Sequence, residues 1–185
     1  MRLPGMVGDT RRKFSHRLKD WHKVTGYDQR PEYCSGKIVS AVKYHLATGI
    51  PELAGTRLAF VSDLHWEGGS ATEKLMCEEM NAFIAEFKPE YLLFGGDAIT
   101  YTCNLSSAIE VLKNLPVDSP ARIAVMGNWE RSKKWLTIQD WKAFYRAANF
   151  KLIVNEEYED NKFLFFGIDD IKTGKPVFSG EKPAG

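Results

Sequence analysis

From residue 58 onward, short apolar runs alternate with longer stretches of helical periodicity. Leu58-Ala59-Phe60-Val61 is a continuous apolar run, the pattern of a strand buried on both faces. Ser70 and Glu73 make a capping box, and Met76, Met80, Phe83, Ile84 and Phe87 form the apolar stripe of the helix behind it, which Pro89 ends. Tyr91-Leu92-Leu93-Phe94 predicts a second buried strand with the exit loop Gly95-Gly96-Asp97. Leu105, Ala108, Ile109, Leu112 and Leu115 mark a helix stopped by Pro116. Arg122–Met126 reads as a third strand, with Gly127-Asn128-Trp129-Glu130 as its exit loop. Ile138, Trp141, Phe144, Tyr145 and Ala148 give a third helix, and 152–154 and 163–166 are further strands. Strand and helix alternating at this spacing predict an α/β fold with a largely parallel sheet. Upstream, Lys37–Ala47 is rich in β-formers and reads as extended, and Pro51 and Gly55 punctuate a turn.

Length and composition narrow the class. The chain has 185 residues, 44% hydrophobic and 26% charged, which suits one globular domain and excludes a disordered or collagenous chain. No run approaches the roughly 18 apolar residues of a membrane span. A net charge of +1 gives the whole chain no strong pull toward nucleic acid. Cys34, Cys77 and Cys103 are odd in number and widely spaced, as expected of a reducing compartment or buried thiols.

The charge is unevenly placed. Residues 1–37 hold nine Lys and Arg against four acids, so this segment carries +5 and the remainder −4. Phe14, Leu18 and Trp21 lie on one stripe of a short helix there. Residues 1–36 are accordingly read as a basic N-terminal extension and 37–185 as the domain. Packing of this helix on its own domain is favoured over contact with an anionic membrane surface, which would make the protein peripheral to the membrane. Thr10-Arg11-Arg12-Lys13-Phe14 is similar to the start of a twin-arginine export signal. A polar stretch follows it where an apolar one is needed, so a cytoplasmic location is expected.

Three consecutive strands end in loops that carry potential metal ligands: Asp63 and His65, then Asp97, then Asn128. Each interval is one crossover unit, so the loops return to the same edge of the sheet, where ligand sites of open α/β sheets lie. Taken singly, each residue is more often a helix cap, a turn former or a hydrogen-bonded surface group.

Val61-Ser62-Asp63-Leu64-His65, Phe94-Gly95-Gly96-Asp97 and Met126-Gly127-Asn128-Trp129-Glu130 resemble the first three motif blocks of the calcineurin-like metallophosphoesterases. Ile50–Gly55 and Gly167-Ile168-Asp169-Asp170 are similar to the bacterial branch that includes the YkuE-like phosphohydrolases. The resemblance covers roughly residues 38–176. It implies an αββα sandwich, represented by its N-terminal βαβαβ portion with part of the second sheet. It also implies a dinuclear site: Asp63 and His65 on the first ion, Asp97 bridging, and Asn128 on the second. The donor types suit Mn, Fe or Zn better than Ca. The implied activity is hydrolysis of a phosphomonoester or phosphodiester, small-molecule or lipid, by a metal-activated water.

Two departures stand out. Trp129 occupies the position where the family usually has a histidine, and indole cannot act as a general acid near neutral pH. Arg131, a nearby cation for phosphate charge, joins Asn128 as an expected catalytic residue. The family's later histidine motifs have no counterpart, since His16, His22, His45 and His65 are the four histidines. A fragment with low independent activity is expected, and Asp169 and Asp170 are read as turn formers. The competing reading is a metal-poor module of the same fold used for protein binding.

Overall fold

The structure is a computed structural model and describes residues 26–27, 31–100, 105–117 and 121–177. The Phe14–Trp21 helix, the arginine pair and Cys103 lie outside the described residues.

Two small antiparallel ladders come first. Strand β1 (Gly26–Tyr27) pairs with β4 (Leu46–Ala47), and β2 (Glu32–Ser35) pairs with β3 (Ser40–Lys43). Both ladders pair residues before and after residue 36. The turn of the second hairpin is held by a helix residue: the Glu79 carboxylate accepts the N–H groups of Lys37, Ile38 and Val39 at 2.7–2.9 Å. Cys34 is an exposed free thiol on β2 and Cys77 is half-buried, so burial does not account for Cys34.

The main sheet has four parallel strands in sequential order: β5 (Leu58–Val61), β6 (Tyr91–Phe94), β7 (Arg122–Ala124) and β8 (Lys151–Leu152). Helices α1 (Ala71–Phe87), α2 (Leu105–Lys113) and α4 (Ile138–Ala147) supply the crossovers. Among the described residues, none of the helices is long and apolar enough to cross a membrane. The α1 start is the expected capping box. Ser70 accepts Glu73 N–H and Glu73 accepts Ser70 N–H, and Lys88 in left-handed conformation closes the other end before Pro89. Helix α4 has a second capping box, Thr137 with Asp140. Leu92 and Phe94 of β6 and Trp141 and Tyr145 of α4 are at most 1% exposed and form the centre of the core. The buried Arg122 donates to the carbonyls of Leu112, Lys113 and Leu115, which closes the C-terminal end of α2.

Strand β5 corrects the expectation of burial on both faces. It is an edge strand with alternating burial. Ala59 and Val61 pack on the core, while Leu58 is 39% and Phe60 68% exposed. A four-residue apolar run does not reveal which neighbours it will find.

The opposite face of the sheet is met by the antiparallel hairpin β9 (Glu156–Glu159) and β10 (Leu164–Gly167). Phe163 and Phe165 lie 5.0 and 5.8 Å from the Tyr91 ring. The observed architecture is α/β: a parallel sheet with helices and a second small β layer.

Candidate metal centre

The carboxyl ends of β5, β6 and β7 are stitched together. Gly95 N–H donates to Val61 O, Asp63 N–H to Gly96 O, His65 N–H to Asp97 O and Trp66 N–H to Ala98 O, at 2.8–3.1 Å. These bonds carry the β5–β6 pairing past the strands into their exit loops. Asp63, His65 and Asp97 thereby converge, with one ligand atom of each within 4.8 Å of the others. His65 Nε2 lies 3.8 Å from an Asp63 oxygen. Asp63 is exposed, His65 half-buried and Asp97 buried, so the cluster opens to solvent from one side. Two carboxylates and an imidazole are a donor set that fits a divalent transition ion.

All three residues have left-handed backbone, φ 58°, 45° and 58°. Such conformations in non-glycine residues concentrate at functional sites, where the surrounding structure enforces them. Two glycines make the approach possible. A Cβ on Gly96 would stand 2.2 Å from the Gly127 nitrogen, and one on Gly127 would stand 2.0 Å from Asp97 Oδ1.

The third loop is not a loop throughout. Asn128 opens a short helix, α3 (Asn128–Ser132), immediately after Gly127. Its first turn faces the second strand's exit: Trp129 N–H donates to Asp97 Oδ1 at 2.8 Å. Asn128, half-buried, is therefore flanked by two residues that touch Asp97. The Trp129 ring meets the His65 ring edge-on with centroids 5.0 Å apart.

Glu130 is the residue that reading the sequence missed. Its carboxylate is fully buried and accepts four bonds: Asp97 N–H and Ala98 N–H at 2.8 Å, Gly127 N–H at 3.0 Å and Tyr145 O–H at 3.0 Å. Burial pushes its pKa up, against the pull of these donors. The signal available was an acid three residues into a helix after Gly127, the reach-back position of a capping box.

Arg131 is not a free loop cation. It forms a two-pronged ion pair with Asp169, Nε to Oδ1 at 2.7 Å and a second contact from NH2 to Oδ2. Asp169 does more than form a turn. Its side chain is completely buried, and it accepts the N–H groups of Asp170 and Lys175. Burial raises its pKa, but Arg131 and these N–H groups outweigh that and hold it below the usual range. Asp170 is a turn former, accepting from Lys172 and Thr173.

A groove of about 500 Å³ adjoins the cluster, lined by His65, Glu67, Gly69, Thr72 and Glu73 among others. A larger cavity of about 810 Å³ lies by Lys88 and Tyr91, at the other end of β6 from Asp97, and contains none of the three donors.

No curated protein and no solved structure matches the chain. The model of one family, calcineurin-like phosphoesterase, matches residues 56–182. That span holds the whole parallel sheet, its three crossover helices and the Asp63–His65–Asp97 cluster. It exceeds half of the sequence, and the chain belongs to the calcineurin-like phosphoesterase family.

Proposed function

We propose that this chain is a metal-dependent phosphoesterase whose centre is built on Asp63, His65 and Asp97. The convergence of their donor atoms within 4.8 Å, inside the family match, carries the reading. When bound, divalent ions supply Lewis acidity, polarising the phosphoryl oxygens and acidifying the attacking water. Asp63 and His65 would hold one ion, the buried and central Asp97 would offer its carboxylate to that ion and to a second, and the Asn128 amide oxygen would serve the second. The Trp129 N–H occupies one face of Asp97 Oδ1 and orients that carboxylate. Arg131, fixed by Asp169, contributes positive charge on the β7 side.

The donor chemistry favours Mn, Fe or Zn, and the sequence motifs favour the bacterial YkuE-like branch. The substrate is a phosphomonoester or phosphodiester. The test is hydrolysis of 4-nitrophenyl phosphate and bis(4-nitrophenyl) phosphate with Mn²⁺, Fe²⁺ or Zn²⁺, against chelator and Asp97→Asn. Turnover that needs metal and is lost in the variant is expected. Metal titration showing no binding would favour the protein-docking alternative.

A further inference from the structure

Independently of the phosphoesterase reading, we propose that the β5 edge of the main sheet pairs with the same edge of a second copy of this chain, antiparallel and in a register centred on Phe60. The main sheet has two outer strands. One, β8, has two residues and carries Lys151, a short and charged edge of the kind that resists pairing. The other, β5, is guarded by neither device. From Leu58 to Ser62 it has no charge and no proline, and Leu58 and Phe60 are exposed.

The hydrogen bonds of β5 identify the groups left available. Arg57 O accepts from Tyr91 N–H, Val61 O accepts from Gly95 N–H, and Asp63 N–H donates to Gly96 O. In a strand, successive residues turn their backbone groups to opposite sides, so Leu58, Phe60 and Ser62 direct theirs away from β6. Among the described residues, no strand pairs with β5 on that side. The Phe60 ring does not block it. It leans inward over the exit of β6, where a Cβ on Gly95 would stand 2.6 Å from Phe60 Cζ.

The residues of the edge suit their own copy. With Phe60 on a two-fold axis, Phe60 faces Phe60 and Leu58 faces Ser62. All three present outward backbone groups, so each pair exchanges both of its N–H···O bonds. At the ends of the run, exposed Arg57 meets the end that carries exposed Asp63 in the second copy, which sets opposite charges against each other. Parallel pairing would instead set Arg57 beside Arg57 and Asp63 beside Asp63. The antiparallel arrangement is isologous and closed, so it stops at a dimer. The two main sheets become one, with Phe60 and Leu58 of both copies side by side across the seam. So short an edge makes a small interface, and the association is reversible and concentration-dependent.

The experiment is sedimentation velocity of the full chain from micromolar to near-millimolar concentration, paired with amide hydrogen exchange across the same range. Reductant is present because Cys34 is an exposed thiol. A shift from the 21.0 kDa chain to twice that mass is expected. The N–H groups of Leu58, Phe60 and Ser62 should gain protection as the dimer forms. Those of Ala59 and Val61, which face β6, should be protected at every concentration. Phe60→Lys opposes two ammonium groups at the axis and should raise the dissociation constant by about tenfold or more, with circular dichroism and Tm checking that it folds. Arg57→Glu, which sets acid against Asp63, should weaken dimerisation too. A chain that stays monomeric at the highest concentration overturns the proposal, as does a dimer indifferent to both variants or lacking the alternating protection. Phe60 N–H protected at all concentrations in a monomer would assign the edge to another segment of this chain and overturn it equally.

Discussion

Glu130 receives the N–H of Asp97 on one carboxylate oxygen and that of the next residue, Ala98, on the other, each at 2.8 Å. A side chain 33 residues downstream thus fixes the backbone of the most buried donor in the cluster. Both oxygens accept twice, because Gly127 N–H and Tyr145 O–H complete the set. Glu130→Ala would leave three backbone donors without an acceptor, at about 1–3 kcal/mol each. We expect a loss of about 3 kcal/mol or more in urea unfolding. Glu130→Gln should be nearly as damaging, since its amide would point N–H groups at N–H groups. A Gln variant of wild-type stability would refute this role.

The contact between Gly127 and Asp97 leads to a second expectation. An added methyl at residue 127 lands on the Asp97 carboxylate, so Gly127→Ala must displace either the loop or the ligand. Groups that support metal ligands typically change affinity by about 10–100-fold when altered. Mn²⁺ titration should show a loss on that scale.

Metal should stabilise the fold as well as activate it. An ion at a hundredfold excess over Kd adds about 2.7 kcal/mol to the folded state, which appears as a rise of several degrees in Tm. Asp97→Asn should abolish the rise and leave the metal-free Tm close to wild type, because the bonds that Glu130 accepts come from the backbone at residues 97 and 98. An undiminished metal-induced shift in the variant would place the ion elsewhere.

The Arg131–Asp169 pair sets an acid limit. Asp169 titrates below its unfolded value, so its contribution is fully present above the ordinary carboxylate range. It is lost as pH falls through the depressed folded value, below about pH 4. Hydrogen exchange at Lys175 N–H, which donates to Asp169, should accelerate in that window. In Asp169→Asn the acid-induced step should vanish.

Much of this was legible in the sequence. Tyr91–Phe94 is a strand with the bounds its apolar run indicates, and the Ser70–Glu73 box opens a helix that ends before Pro89. Local chemistry dictates both. The grouping of Asp63, His65 and Asp97 followed from strand ends one crossover apart. Three things lay beyond reach for a common reason, dependence on distant partners. Phe60 looks identical in sequence whether a second layer covers it or not. Glu130 reads as an ordinary loop acid until the Asp97 backbone arrives. Arg131 reads as a cation free to meet phosphate charge until Asp169, 38 residues away, closes on it.

The left-handed backbone at Asp63, His65 and Asp97 sets folding and chemistry against each other. Glycine adopts such geometry without penalty, whereas an ordinary side chain pays about 1 kcal/mol or more. At exposed Asp63, then, the variant that best suits the chain's shape is the one that discards a ligand. Screening this protein for heat resistance alone would tend to select glycine at residue 63 and return sturdier molecules with a crippled centre.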